Sequence, residues 1–316
     1  MAILVARRLV IFAISLLAAS ILVFAVLSVL PGDPAEVMLG TQATPQTLLQ
    51  LRHQLGLDHP IWVRYGDWVG GFVHADLGDS AVSQAPIAPQ ISGELAVTGP
   101  LVLLSLALAL ALALPAGIAA ALRNRTPVGT AISAVSQIGI AIPEFWAGIL
   151  LVTVVSVHLG WLPAGSFPGW STSIGGSLKA LVLPTIALAL VQAALLTRYI
   201  RSAVLEVLRD DFMRTARASG STRLGALRRH GLRNAAIPIA TVIWLQVAGL
   251  LVGAVVIEQV FDLPGLGAAL LSGVRQRDTL LVQDIAMLLT ATVLVVNLLV
   301  DLSYRLLDPR LREGPR

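Results

Sequence analysis

Long runs of apolar residues, separated by shorter polar segments, make up most of this chain. Each run reaches the length of about 20 residues that a helix needs to cross a hydrocarbon core about 30 Å thick. Because lipid cannot satisfy backbone hydrogen-bonding groups, such runs are expected to be helices. Six runs qualify, at about residues 9–30, 96–122, 130–157, 180–200, 237–260 and 284–304. The pattern predicts an all-α membrane protein whose single transmembrane domain occupies residues 1–316.

Composition agrees with this class. Of the 316 residues, 56% are hydrophobic and 13% are charged, against about a quarter charged in soluble domains. The chain has no cysteine, which excludes disulfides and thiolate metal sites. The first apolar run, at residues 9–30, is longer than the roughly 7–15-residue core of a secretory signal. We therefore expect it to be retained as the first span.

Basic residues lie mostly on one side of the predicted membrane topology. With the N-terminus in the cytoplasm, the inner segments hold 17 of the 22 lysines and arginines, in agreement with the positive-inside rule. This topology places both termini and residues 201–236 in the cytoplasm, and the loop at residues 31–95 in the periplasm. The net charge of +4 is thus mainly a topology signal. No zinc-finger, basic-zipper or RNA-recognition pattern accompanies it, so no nucleic-acid partner is expected.

The loop between the fourth and fifth runs is basic, with seven arginines and no lysine in residues 209–233. Its first part is predicted to be a short helix with small and aromatic residues on one face, at positions i, i+3, i+4 and i+7: Phe212, Thr215, Ala216 and Ser219. Arg214 and Arg217 lie on the other face, and Gly220 follows as a C-terminal stop. The pattern fits two interpretations: docking of a soluble partner, or a solvated basic loop held at the inner leaflet by anionic lipid.

No catalytic or nucleotide-binding motif occurs in the chain. A phosphate-binding loop has the form GxxxxGK[ST], and the only lysine, Lys179, is not in that context. The patterns GxSxG and HExxH are also absent. We expect no enzymatic activity, and if ATP drives the protein then another chain must bind it. His53, His59 and His74 lack the i, i+4 spacing that presents two imidazoles together, so no metal site is predicted.

Three polar residues inside or at the ends of the apolar runs are candidates for a substrate pathway: Glu144, Gln192 and Glu258. An ionisable group in a span is costly and therefore suggests function. For Glu144 the alternative is that Pro143 kinks the third span and the carboxylate borders an aqueous cavity without a chemical role.

Several motifs resemble a known family when they are taken in order on a six-span frame. They are LPGDPAE (residues 30–36), ADLGDS (75–80), IPEFWAG (142–148), RTARASG with RHGLRNAAIP (214–220 and 229–238), EQVFDLPGLG (258–267) and DLSYRLLDPRL (301–311). Together they resemble the inner-membrane permease subunits of bacterial ATP-binding-cassette importers, in the dipeptide, oligopeptide and nickel branch. The resemblance extends over nearly the whole chain.

The resemblance implies a cytoplasmic coupling helix that inserts into a cleft of an ATPase subunit. The matching residues are Arg214, Thr215, Ala216, Arg217, Gly220, Arg229, His230, Arg233 and Asn234. The family's commonest form has glutamate and alanine where this chain has Arg214 and Thr215, a replacement that is frequent in the peptide branch. A short helix with a small-residue face can approach a partner closely while its arginines contact carboxylates.

The resemblance also implies the partners and the location. We expect a second homologous permease subunit, two cytoplasmic ATPase subunits that bind ATP and Mg²⁺, and an extracytoplasmic binding protein. This chain would hold no cofactor itself and would be a multi-pass protein of the bacterial inner membrane. Its substrate is expected to be a di- or oligopeptide, with nickel or another small solute as an alternative. A secondary transporter or channel is the other alternative, but it predicts inverted repeats, and none is evident between spans 1–3 and 4–6.

Overall fold

The computed structural model describes residues 2–29 and 34–307. The start of the LPGDPAE motif and the end of the DLSYRLLDPRL motif lie outside these residues. Within them the chain forms helices α1 to α13: Ala2–Val29, Pro34–Leu39, Pro45–Gln54, Ile61–His74, Ile87–Leu122, Pro127–Ala141, Glu144–Leu151, Ile174–Val207, Asp211–Ala218, Arg223–Ala226, Leu232–Val260, Leu266–Gln276 and Thr279–Leu307. The described residues contain no β-strand, only an isolated bridge between Asp79 and Pro86.

Five helices of the described part are long and apolar enough to cross a membrane: α1, α5, α8, α11 and α13. A sixth span exists if the bent pair α6 and α7 is counted as one. The prediction of an all-α membrane protein is therefore confirmed. Helices α5 and α8 extend beyond the predicted apolar runs, because more polar turns continue α5 at its N-terminal end and α8 at both ends.

The predicted third span, residues 130–157, is not one continuous helix. Helix α6 ends at Ala141, and α7 begins at Glu144 at an angle of 95° to it. The break follows from Pro143, which has no N–H to donate and which forces the preceding residue out of the helical region. Ile142 accordingly has φ −83° and ψ 121°. Beyond α7 the chain continues as a π-helical segment, Val152–His158.

The described chain divides into two compact units. The first comprises residues 1–98 and 264–298. Its apolar core joins the start of α5 to α12 and α13, through side chains such as Ile87, Leu266 and Ile285. A second cluster joins α1, α4 and α13 through Phe24, Trp68 and Met287.

Two buried carboxylates connect distant parts of this first unit: Asp278 at the N-cap of α13 and Asp284 within α13. Asp278 accepts hydrogen bonds from the Ser80 hydroxyl, from the Ala81 amide at 3.3 Å and from the Leu281 amide at 3.4 Å. It therefore caps α13 and holds the ADLGDS segment against it. Asp284, which is fully buried, accepts a hydrogen bond of 2.8 Å from the indole N–H of Trp68 on α4.

Among the described residues, the second unit comprises residues 99–263 and 299–307, and α8 is at its centre. Helix α8 packs against α6, α7 and α11. Small residues allow the close approaches: a Cβ at Gly139 on α6 would lie 2.7 Å from that of Ala194 on α8. Such contacts are typical of helix packing in lipid, where dispersion contacts replace the hydrophobic driving force.

We expect the Trp68–Asp284 hydrogen bond to stabilise the first unit measurably. Trp68→Phe should destabilise the folded protein by about 1–3 kcal/mol, because it leaves a buried carboxylate oxygen without its donor. Adding Asp284→Leu should recover part of this loss, since both polar partners are then removed. The measurement is a double-mutant cycle on the thermal unfolding of the purified protein in detergent.

The matched control is Trp62→Phe, because Trp62 is on the same helix and its exposure is 72%. If Trp68→Phe lowered the melting temperature no more than this control, or if the double variant were additive, the hydrogen bond would have no stabilising role.

Candidate functional site

The predicted short helix in the basic loop is present as α9, Asp211–Ala218. Its one buried side chain is Met213, which enters a core cluster with Val207 at the end of α8 and Leu227 beyond α10. Phe212 and Ala216 are partly buried against the same cluster. The buried side therefore holds α9 firmly on the ends of the membrane helices.

The exposed side of α9 differs from the face that the sequence pattern predicted. Phe212 and Ala216 of that face turn inward, whereas Thr215 and Ser219 are exposed. The hydroxyls of Thr215 and Ser219 donate to carbonyls of their own helix, at 3.1 and 3.0 Å. The reason for the difference is Met213, a long apolar side chain outside the i, i+3, i+4, i+7 set, which takes the innermost position.

Gly220 ends α9 as predicted, with φ +90°. The Ser221 amide donates to the Ala216 carbonyl at 3.2 Å, and the Gly220 amide donates to the Arg217 carbonyl at 3.0 Å. This pair of bonds is the Schellman motif, which requires a left-handed residue at the position of Gly220. No atom lies within 4 Å of a Cβ built there, so the conformation and not crowding selects glycine.

A second short helix follows at once. The Thr222 hydroxyl caps α10 by accepting from the Gly225 amide at 3.1 Å, and a π-helical turn, Leu227–Gly231, leads into α11. Gly231 is closely packed, since a Cβ there would lie 2.7 Å from Leu227 and 3.1 Å from Val207. The turn is thereby pressed against the end of α8.

All seven arginines of the loop are exposed. We call the exposed side of residues 209–234 the arginine surface; its arginines are Arg209, Arg214, Arg217, Arg223, Arg228, Arg229 and Arg233. Arg214 forms an exposed ion pair with Asp211 at 3.3 Å. His230 and Asn234 are exposed on the same segment, so every predicted coupling residue except Ala216 lies fully at the surface.

Two of the three candidate pathway residues meet inside the second unit. Gln192 of α8 donates from Nε2 to Glu144 Oε1 at 3.2 Å. Glu144 is the first residue of α7, directly after the break, and it is half-buried. The carboxylate lies over Gly253 of α11, where any side chain would collide with it.

A third polar side chain, Gln246 of α11, lies near this pair, and the sequence analysis did not identify it. Gln246 Oε1 and Gln192 Nε2 each lie 3.7 Å from the Cβ position of Gly249. We call Glu144, Gln192 and Gln246 the intramembrane polar cluster. The signal was present in the sequence, because Gln246, Gly249 and Gly253 recur at i, i+3 and i+7 on one face of a helix.

Glu258, the third predicted pathway residue, is fully buried near the end of α11. Its carbonyl accepts from the Leu263 amide at 2.9 Å as the helix ends. The structure thus brings Glu144 and Gln192 together in the polar cluster, and it places Glu258 deeper in the unit.

The sequence matches two family models that together extend over nearly all of the chain. Residues 113–313 match the binding-protein-dependent transport system inner membrane component, and residues 1–92 match the N-terminal part of the same type of membrane component. The first match alone spans more than half of the chain.

Relatives of this chain match it over almost its full length. A Brucella abortus protein with the provisional name of peptide transport system permease is 38% identical over 94% of this chain and 95% of its own. The glutathione transport system permease protein GsiC of Escherichia coli K12 is 37% identical over 93% of each chain.

The apolar spanning helices, the family models and the relatives all indicate the same class of protein. The chain is a multi-pass protein of the inner membrane and belongs to the permease subunits of binding-protein-dependent, ATP-binding-cassette importers.

Proposed function

We propose that this chain forms one half of a translocation pore that imports di- or oligopeptides. An extracytoplasmic binding protein would deliver the peptide, and ATPase subunits would drive transport through the loop at residues 210–234. The family supplies the importer part of this proposal. The peptide part is supported by relatives whose names contain peptide or glutathione, glutathione being itself a small peptide.

The observation that carries the proposal is the rigid attachment of the arginine surface to the membrane helices. Met213 and Leu227 share one buried cluster with Val207 of α8 and Ala235 of α11. Interiors packed in this way transmit displacements instead of absorbing them. A partner that pushes or pulls α9 would therefore move the cytoplasmic ends of α8 and α11.

Docking to an ATPase subunit suits the chemistry of this surface. Arg214 and Arg217 would contact carboxylates at the rim of the partner's cleft, since guanidinium groups bind carboxylates through paired hydrogen bonds. The small side chains of Thr215 and Ala216 would allow the partner to approach the helix closely, and Gly220 ends the helix. Arg229, His230, Arg233 and Asn234 would form the second part of the contact.

The assembly would contain a second permease and two ATPase subunits. One such chain offers one docking surface, and a motor of two ATPases needs two. ATP and Mg²⁺ would bind the ATPase subunits, and this chain would hold no cofactor. ATP-driven closure of the ATPases would bring the docking helices together and open the pore outward, and hydrolysis would then reset it.

The intramembrane polar cluster is the proposed part of the substrate pathway. Glu144 and Gln192 offer an acceptor and a donor at the break in the third span, where α7, α8 and α11 meet. Glu258 would contribute after a conformational change, because it is fully buried in the present arrangement.

The proposed topology places both termini and the arginine surface in the cytoplasm. Single cysteines at Ser83 and Ser171 should react with an impermeant thiol reagent added to spheroplasts, whereas one at Ser221 should react only after the membrane is opened. All three positions are exposed, and the chain has no native cysteine. Reaction of Ser221→Cys in intact spheroplasts would contradict the topology.

Gly220→Leu should abolish substrate-dependent uptake while leaving membrane insertion intact. A side chain at φ +90° costs about 1–2 kcal/mol and disturbs the end of α9 at the docking surface. The measurement is peptide uptake by proteoliposomes that contain the whole transporter, normalised to the amount of assembled complex. We expect at least a tenfold reduction.

Gly160→Leu is the matched control for Gly220→Leu. Gly160 is also exposed, has φ +63° and has no atom within 4 Å of its Cβ position, but it lies outside the loop. Equal losses in the two variants, or wild-type uptake by Gly220→Leu, would refute the assignment of the docking helix.

The function itself is tested by reconstitution. The chain with its partner permease, ATPases and binding protein should accumulate a labelled dipeptide only when ATP is present. The purified chain alone should neither bind nor hydrolyse ATP. Uptake by this chain alone, driven by a proton or sodium gradient, would contradict the importer and indicate a secondary transporter.

A further inference from the structure

The first unit contains a cavity of about 250 Å³ whose wall carries charges of both signs. Arg64 and Asp67 of α4 and Asp79 of the ADLGDS segment line it, together with His59 and Gln283. Apolar side chains, among them Phe24, complete the wall. We call this the mixed-charge cavity. None of its residues belongs to the arginine surface or to the intramembrane polar cluster.

The charged groups of this cavity are not neutralised by one another. Arg64 and Asp67 lie one turn apart on α4, a spacing that commonly gives an ion pair. Among the described residues, however, Arg64 has no carboxylate within 4.0 Å, and neither Asp67 nor Asp79 has a cationic partner. The cavity therefore presents a free guanidinium and two free carboxylates.

Gln283 of α13 is an independent sign of an unfilled site. Its exposure is 6%, and its Nε2 has no hydrogen-bond partner among the described residues. A buried amide donor without a partner costs about 1–3 kcal/mol. Such groups are rare in natural structures, and each calls for a partner such as a water, an ion or a ligand.

We propose that the mixed-charge cavity binds a small zwitterion, such as a dipeptide. Arg64 binds the carboxylate, Asp67 and Asp79 bind the ammonium group, and Phe24 with the other apolar residues contacts the side chains. The volume is slightly below the roughly 300–1,000 Å³ of pockets for drug-sized ligands, which suits a small ligand. This inference rests on the proposed import of peptides, and it adds a binding site in this chain itself.

The site would receive substrate on the periplasmic side under the proposed topology. Its residues come from the segment at residues 55–81, from the start of α13 and, through Phe24, from α1. A peptide released by the binding protein would be held there by charge complementarity before it enters the pore.

The test uses the complete transporter in nanodiscs without the binding protein. Isothermal titration with L-alanyl-L-alanine should give saturable binding. N-acetyl-dialanine, which lacks the ammonium group, and dialanine amide, which lacks the carboxylate, should each bind about tenfold more weakly, because each loses one charge-assisted contact.

Variants assign each contact to its residue. Arg64→Gln should weaken dialanine binding about tenfold and remove the preference for dialanine over its amide. The double variant Asp67→Asn, Asp79→Asn should instead remove the preference for dialanine over its N-acetyl form. The controls are Arg52→Gln and Asp58→Asn, charged positions close in sequence to the cavity residues that do not line the cavity and should leave affinity unchanged.

A phosphatidylethanolamine headgroup offers the same pair of charges, so the titrations are made in nanodiscs with and without this lipid. If the lipid alone abolished dialanine binding in an Arg64-dependent way, the occupant would be the headgroup. Absence of dialanine binding in both lipids, or equal binding of all three probes, would overturn the proposal.

Failure of this inference and failure of the proposed function give different results. ATP-driven dipeptide uptake that persists without any binding to the cavity would refute the cavity and leave the importer intact. Binding to the cavity by a complex that shows no ATP-driven uptake would leave the site intact and refute the importer.

Discussion

The packing of α8 is the constraint on which the second unit depends. This helix contacts α6, α7 and α11, and most of its length is buried. Its middle carries Gln192, the donor to Glu144, and its C-terminal end carries Val207, against which Gly231 is packed. Because one rigid helix holds both features, the intramembrane polar cluster and the arginine surface cannot move independently at their α8 contacts. This mechanical link makes coupling between ATPase and pore physically reasonable.

Glycines allow α7 and α11 to approach each other closely at two points. Gly148 of α7 faces Ile257 of α11, and a Cβ there would lie 3.1 Å from it. Gly253 of α11 leaves the space that the Glu144 carboxylate occupies. A polar side chain that lies over a glycine has no side chain beneath it, and among the described residues the hydrogen-bond partner of Glu144 is Gln192. The polar cluster is therefore a place where these helices can rearrange at small cost.

The length of the apolar runs was enough to predict the class, because a chain that crosses lipid has few alternatives to the helix. The 95° break at Pro143 was visible only as a potential kink, since sequence shows that a helix must end but not where the next one points. The burial of Met213 was not predicted, because the sequence analysis followed the regular spacing of other residues and Met213 lies outside that set. The bonds from Ser80 to Asp278 and from Trp68 to Asp284 join residues about 200 positions apart, and no local pattern encodes such pairs.

The ordered structure of the loop at residues 209–233 bears on whether its partner is lipid or protein. Attraction to an anionic leaflet needs only charge, at about 1 kcal/mol per basic residue, and a disordered segment provides it equally well. Here Met213 is buried, Gly220 closes a Schellman motif and Thr222 caps the next helix. The hydroxyls of Thr215 and Ser219 are satisfied within α9, which leaves the arginines as its main groups for an outside partner. Arginine binds carboxylates in a fixed geometry, and a fixed backbone preserves that advantage. An ordered surface that presents arginines and no lysine is therefore better suited to a protein cleft than to a membrane.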